Sequence, residues 1–210
     1  MRYARRQSYK RSTRTSRRRS KIKAKMSRKY NTRGQRVYRF KRFTGTFGSL
    51  AISNIADTLT GYNFSLSDLP NSSEFTNLFD MYKINAIKIS FVPQVTENIS
   101  SGSLNNPYAS SRFFSCIDYN DSAAPTNIDA IRQYANCKYT PIHKVHTRYI
   151  YKPKILDTTG FTISPWISTA SSSINYFGLK VGVEAMYSTT TTSMVYSVEA
   201  KFYMSFKNVV

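Results

Sequence analysis

The chain has 210 residues and a formal net charge of +20, from 31 Lys and Arg against 11 Asp and Glu. That length suffices for one domain with a sizeable core. It holds no apolar run near the ~18 residues of a membrane-spanning helix, and its N-terminus has no apolar stretch of a secretory signal.

Charge is concentrated at the N-terminus. Residues 1–42 hold 19 of the cations and no acid, whereas residues 43–210 are near balance, with 12 basic and 11 acidic residues. The candidate phosphate-binding residues are therefore Arg2, Arg5, Arg6, Lys10, Arg11, Arg14, Arg17, Arg18, Arg19, Lys21, Lys23, Lys25, Arg28, Lys29, Arg33, Arg36, Arg39, Lys41 and Arg42. From Met1 to Ala24 the large apolar residues are Met1, Tyr3, Tyr9 and Ile22 alone. Such a segment buries too little to offset its backbone entropy, so an arm disordered until it meets polyanion is expected. Arg and Lys neutralise phosphates and release counterions with little sequence readout. The arm has no amphipathic periodicity and no zinc-finger spacing, so no groove-reading element is expected. Arg17 to Lys25 also fits a nuclear import signal and hence a host import receptor. Tyr30, Tyr38, Phe40 and Phe43 interleave with the late cations. Packing on the body is the expected role of these rings, with base stacking the alternative. Docking of the chain onto the body is expected to begin around Val37.

In the body, the first expected strand is 43–53. A short helix follows over 73–79, capped by Ser72 or Ser73. A strand over 82–92 changes phase. Tyr82 and Ile84 share one face and Ile87, Ile89 and Phe91 take the other, which points to a bulge near Ala86 or burial of both faces. Pro93 ends it. The Ser- and Asn-rich segment Gln94 to Ser111 reads as an exposed loop. A strand is expected over 112–119, and a helix over 128–135 with Asn127 as cap and Asp129 in its first turn. Strands over 143–152 and 161–164 come next. Residues 176–186 alternate, with Phe177, Leu179, Val181, Val183 and Ala185 on one side. Six hydroxyl residues, Ser188 to Ser193, lead to the last strand. There Met194, Tyr196, Val198, Ala200, Phe202, Met204 and Phe206 form an apolar face opposite Ser197, Glu199, Lys201, Ser205 and Lys207. Seven or eight strands without βαβ alternation make an all-β sandwich, barrel or jelly roll.

Alternation along 143–152 places Lys144, His146, Arg148 and Lys152 on one face, interrupted by Ile150, with Val145, Thr147, Tyr149 and Tyr151 on the other. Lys144, Arg148 and Lys152 are candidate auxiliaries to the arm, against the alternative of an ordinary solvated face. Cys116, Cys137, His143 and His146 invite a zinc reading, but positions 143 and 146 of a strand point oppositely, so core cysteines and surface histidines are expected and no metal. With two cysteines, free thiols are expected. There is no P-loop, no Gly-rich dinucleotide turn and no Gly-x-Ser-x-Gly elbow, so neither an enzyme nor a cofactor is expected.

The segment Phe75-Thr-Asn-Leu-Phe-Asp-Met-Tyr-Lys-Ile-Asn-Ala-Ile-Lys-Ile-Ser-Phe-Val-Pro93 and the ending Tyr196-Ser-Val-Glu-Ala-Lys-Phe-Tyr-Met-Ser-Phe-Lys-Asn208 resemble strands of capsid proteins from circovirus-like circular single-stranded DNA viruses. The plan of arm, all-β body and long final strand is similar over the whole chain. The resemblance implies a basic arm over 1–42 and an eight-stranded antiparallel jelly roll over 43–210. It also implies an icosahedral homo-oligomer of about 60 copies with the arm inside, no membrane, and residence in the virion and, during assembly, the host nucleus. Single-stranded DNA is then the expected cargo. The arm itself does not distinguish DNA from RNA, so a small RNA virus capsid, or a cellular nucleic-acid-binding protein with a basic tail, is the alternative.

Overall fold

The computed structural model describes residues 36–94, 111–157, 160–186 and 194–209. The expectations for Met1 to Gln35, for most of the Gln94 to Ser111 loop and for the 188–193 connection lie outside them. Val37–Val210 forms a compact unit. Its strands are β1 (Tyr38–Ile52), β2 (Thr58–Phe64), β3 (Phe79–Pro93), β4 (Arg112–Cys116), β5 (Lys138–Pro141), β6 (His146–Tyr151), β7 (Lys154–Asp157), β8 (Gly160–Ile163), β9 (Ile167–Ser168), β10 (Tyr176–Val183) and β11 (Met194–Val209).

They pair antiparallel in two sheets. The first runs β1-β11-β3-β6, with β9 also on β3. The second runs β5-β4-β10-β7-β8, with β2 on the other side of β10. Eight of these strands therefore form two four-stranded sets, β1-β11-β3-β6 and β2-β10-β4-β5, and the chain passes between the sheets so that its first and last strands lie side by side. This is the connectivity of an eight-stranded jelly roll. The β7–β8 hairpin and β9 are inserted between β6 and β10. Among the described residues no helix is long and apolar enough to cross a membrane.

The core lies between the sheets. The alternating face of β11 supplies Met194, Tyr196, Val198, Ala200, Phe202, Met204 and Phe206, all buried, as the periodicity requires. Burying a large apolar side chain contributes about 1.5–3 kcal/mol, and β11 places most of its length in that position. At one end Phe206 stacks on Phe75 at 4.8 Å and meets Phe40 edge-on at 5.6 Å. Tyr38 and Phe40 thus pack on the body, while Phe43 points outward.

The phase change in β3 is a bulge. Tyr203 faces Ala86 and Met204 faces Ile84, which leaves Asn85 as the extra residue. Its carboxamide donates to Ser205 Oγ at 2.7 Å, and its carbonyl accepts from the Lys152 N–H at 2.9 Å. A second irregularity separates Thr44 from Gly48 on β1, where the Thr44 hydroxyl donates to the Ala200 carbonyl.

Other expectations shift. The helix expected over 73–79 is Ser72–Thr76. Its cap is Asn71 in the left-handed region (φ 56°), with no side-chain cap bond, and neither serine serves. The second helix is Ile128–Arg132, and Asn127 Oδ1 does accept from the Ala130 N–H at 2.7 Å. Strand β2 has no clear alternation in the sequence. Its Gly61 admits the Ser122 carbonyl so closely that a Cβ would lie 2.1 Å from that oxygen.

Candidate nucleic-acid interface

The outer faces of the two sheets differ. On the second sheet, Phe114 and Cys116 of β4 are covered by Ile128 and Ile131 of the short helix, with Leu59, Tyr134 and Cys137 around them. That covering segment is tied down by ions. Lys180 Nζ lies 2.7 Å from Asp121 and 3.2 Å from Asp118, and the Tyr134 hydroxyl donates to Asp118 at 2.7 Å. Burial opposes ionisation of Asp118. Hydrogen bonds from the Asn120 N–H, Tyr134 and Lys180 outweigh it, and hold the carboxyl below its usual range. Burial likewise opposes the charge on Lys180, and its bonds to Asp121 and Asp118 outweigh that and raise its pKa.

The outer face of the first sheet is open among the described residues, and strand pairing sets its pattern. Partners directly opposite in antiparallel strands share a face. One row crosses all four strands as Phe43, Lys201, Lys88 and Tyr149; the next as Lys41, Tyr203, Ala86 and Tyr151; the third holds Arg39, Ser205 and Lys83. Lys207 stands on the same face of β11, with its ammonium 4.7 Å from the ring centre of Trp166. The face carries six cations, Arg39, Lys41, Lys83, Lys88, Lys201 and Lys207, and one acid, Glu199. None of the six makes an ion pair among the described residues.

Aromatic rings alternate with these charges. Lys41 lies over Tyr203 at 5.7 Å and Lys201 over Phe43 at 5.6 Å. Tyr149 meets Tyr203 edge-on at 5.9 Å. Phe43, Tyr149 and Tyr151 are 53%, 50% and 58% exposed. Cations that bind phosphate beside rings that offer π-faces are the ingredients of a nucleic-acid surface.

The expected basic stripe on β6 needs correction. His146, Arg148 and Ile150 point into the sandwich, and Tyr149 and Tyr151 point out. Arg148 is buried and donates from Nη2 to the Asn136 carbonyl at 2.8 Å; burial pushes its pKa down. It is a structural cation. His146 is not a surface histidine. Its ring stacks on Phe113 at 4.4 Å, with Ser115 Oγ at 2.6 Å from Nε2 and Thr140 Oγ1 at 2.9 Å from Nδ1. Burial, then the charges of Lys138 and Arg148, push its pKa down to about 3. Lys144 is exposed in the turn before β6. Lys152, at φ 50°, lies over Tyr151 at 5.2 Å and so adjoins the open face of the first sheet. His143 is exposed while His146 is enclosed, and among the described residues no cluster of three or more His, Cys, Asp or Glu could hold a metal.

Of the arm cations, Arg36, Arg39, Lys41 and Arg42 fall within the described residues. The last three belong to β1. Arg39 and Lys41 join the open face, whereas Arg42 turns the other way and pairs with Glu74 at 3.1 Å. Sequence reading missed Lys83, Lys88, Lys201 and Lys207 as site residues. Each is an ordinary polar position of its own strand, and the cluster exists through pairing of distant strands.

The fold is a jelly roll, and its first sheet carries a basic face that is open among the described residues. The chain belongs to the circovirus capsid protein family, whose model matches residues 4–210. It is similar in structure to the BFDV capsid protein crystallised as a 60-mer, at 16% identity with a TM-score of 0.57, covering 83% of this chain and 95% of that one. The decameric BFDV form is similar at a TM-score of 0.53 and 16% identity, covering 82% and 100%. The Mud crab tombus-like virus structure is similar at 0.53 and 11%, covering 89% and 98%. Among curated proteins no relative matches. As a capsid protein the chain is a component of the virion.

Proposed function

We propose that this capsid protein packages a single-stranded DNA genome by charge neutralisation through the arm, as it assembles with copies of itself into a closed icosahedral shell. The observation that carries the reading is the distribution of charge: residues 1–42 hold 19 cations and no acid. Phosphate neutralisation is what such a segment does best. Of these cations Arg39 and Lys41 already belong to β1 and lie on the open face with Lys83, Lys88, Lys201 and Lys207, so that face carries the same sign of charge as the arm. The BFDV relative forms a 60-mer, and a shell of that size is the assembly proposed here, with the arms inside. Arg17 to Lys25 then serves entry to the host nucleus through an import receptor.

The test is to express the full chain, isolate particles, and treat them with nuclease before extraction. Uniform shells holding protected nucleic acid are expected, and in infected cells the protected species should be single-stranded DNA. A chain that stays monomeric at every salt concentration overturns the assembly reading. Protected RNA from authentic virions overturns the choice of DNA.

A further inference from the structure

We infer that the open face of the first sheet binds unpaired nucleobases, so that the body, and not the arm, distinguishes single-stranded from duplex nucleic acid. The inference rests on the packaging reading above and adds a second site to it.

Three observations carry it. First, the charge on the face is unbalanced at close range. Lys201 and Lys88 are direct cross-strand partners with no acid opposite either. Like charges so placed destabilise a sheet, and a polyanion lying across the row relieves that cost. Second, the rings stand between the cations. Tyr149 and Tyr151 are two positions apart on β6, hence ~7 Å apart along the strand, and both are at least half exposed. Phe43 lies at the far edge of the same row as Tyr149. Exposed rings flanked by Lys41, Lys88, Lys152 and Lys201 fit a strand whose backbone meets the cations while its bases turn onto the rings. In a duplex the base faces are already stacked and cannot use them. Third, the occupant is delivered by the chain itself. The arm is continuous with β1, whose outward residues Arg39, Lys41 and Phe43 form one margin of the face.

The protein's single tryptophan gives a local readout. Trp166 lies under Lys207 at that face, and the arm contains no tryptophan. Full-length protein is titrated with a (dT)20 oligonucleotide and with a duplex carrying the same number of phosphates, following Trp166 fluorescence. The single strand should quench Trp166 and bind at least tenfold more tightly than the duplex at equal salt. Replacing Tyr149→Ala with Tyr151→Ala should erase most of that preference, by about tenfold or more, while Tyr149→Phe with Tyr151→Phe retains it. Replacing Arg17, Arg18 and Arg19 by Gln should weaken both ligands equally and leave the preference intact. If that arm variant binds as the parent does, the packaging reading fails. If the parent shows equal affinity for both ligands with an unresponsive Trp166, this inference fails by itself. It is likewise overturned if the alanine pair changes particle size in sedimentation and leaves strand preference unchanged, which would make the face a contact between copies of the chain.

Discussion

At the residue scale, two buried polar centres set how the body responds to pH. His146 is held neutral, with its pKa lowered to about 3 from 6.5. The unfolded chain therefore takes up this proton first as pH falls. Stability should be lost progressively below about pH 6.5, by at most ~1.4 kcal/mol per pH unit from this group. Urea unfolding at pH 7 and pH 5 measures the loss, and His146→Gln should reduce the difference between the two while lowering stability at both. The Lys180 cluster behaves differently. The Asp118 pKa is lowered, so its contribution is present above the ordinary carboxylate value and disappears as pH falls through the depressed one. The Lys180 pKa is raised, so its contribution is full below the ordinary lysine value and is lost as pH rises through the raised one. Lys180→Gln leaves Asp118 buried without its cation, and should cost about 3 kcal/mol in denaturant unfolding at pH 7.

At the scale of elements, legibility depended on where each strand found its partners. Strand β11 was readable because one face meets the core along its length, and the β3 phase change was readable because a bulge leaves its mark in the periodicity. The bulge residue is Asn85, one position before the expected Ala86. Strand β6 was misread. Its polar residues His146 and Arg148 face inward and its rings Tyr149 and Tyr151 face outward, the reverse of the usual pattern. The inversion is stable because Ser115, Thr140 and the Asn136 carbonyl satisfy the buried polar atoms, and those partners lie on other segments that no local pattern reveals. Strands β5, β7 and β9 are too short for periodicity to appear. The open basic face was illegible for a related reason, since its rows draw residues from β1, β3, β6 and β11. Deleting Asn85 provides a test at this scale. Removing this extra residue would bring Ile84 next to Ala86, keep their pairing with Met204 and Tyr203, and leave Tyr82 and Ile84 inward and Lys83 outward. The variant should still give a folded body by near-ultraviolet circular dichroism, destabilised by loss of the bonds to Ser205 and Lys152, whereas Asn85→Ser, which keeps the bulge and the backbone bond, should cost about 1 kcal/mol.

At the scale of the whole molecule, the near balance of charge in residues 43–210 conceals an uneven arrangement. Acids are drawn to the second sheet and its covering segment, where Asp118 and Asp121 meet Lys180, and the first sheet's outer face is left basic. Binding should therefore be strongly salt-dependent even beyond the arm. Replacing Arg17, Arg18 and Arg19 by Gln should lower the slope of log affinity against log salt by about 2 for a single strand, as measured by filter binding from 50 to 300 mM NaCl, roughly the range where such slopes are read.

Strand β11 lies between β1 and β3, so the centre of the first sheet is made after the strands on either side of it. Pairs such as Thr44 with Ala200 and Ile52 with Met194 join opposite ends of the body. Loop closure on that scale makes folding slow compared with local helix formation. On the ribosome the cationic residues 1–42 emerge before β11 and can meet polyanions while the body still lacks its middle strand. Truncation before Met194 should then yield a nascent chain that is competent for binding yet unable to close its sandwich, seen as protease sensitivity of the released product. The order of synthesis thus gives the chain a period in which it can hold nucleic acid before it can become part of a shell.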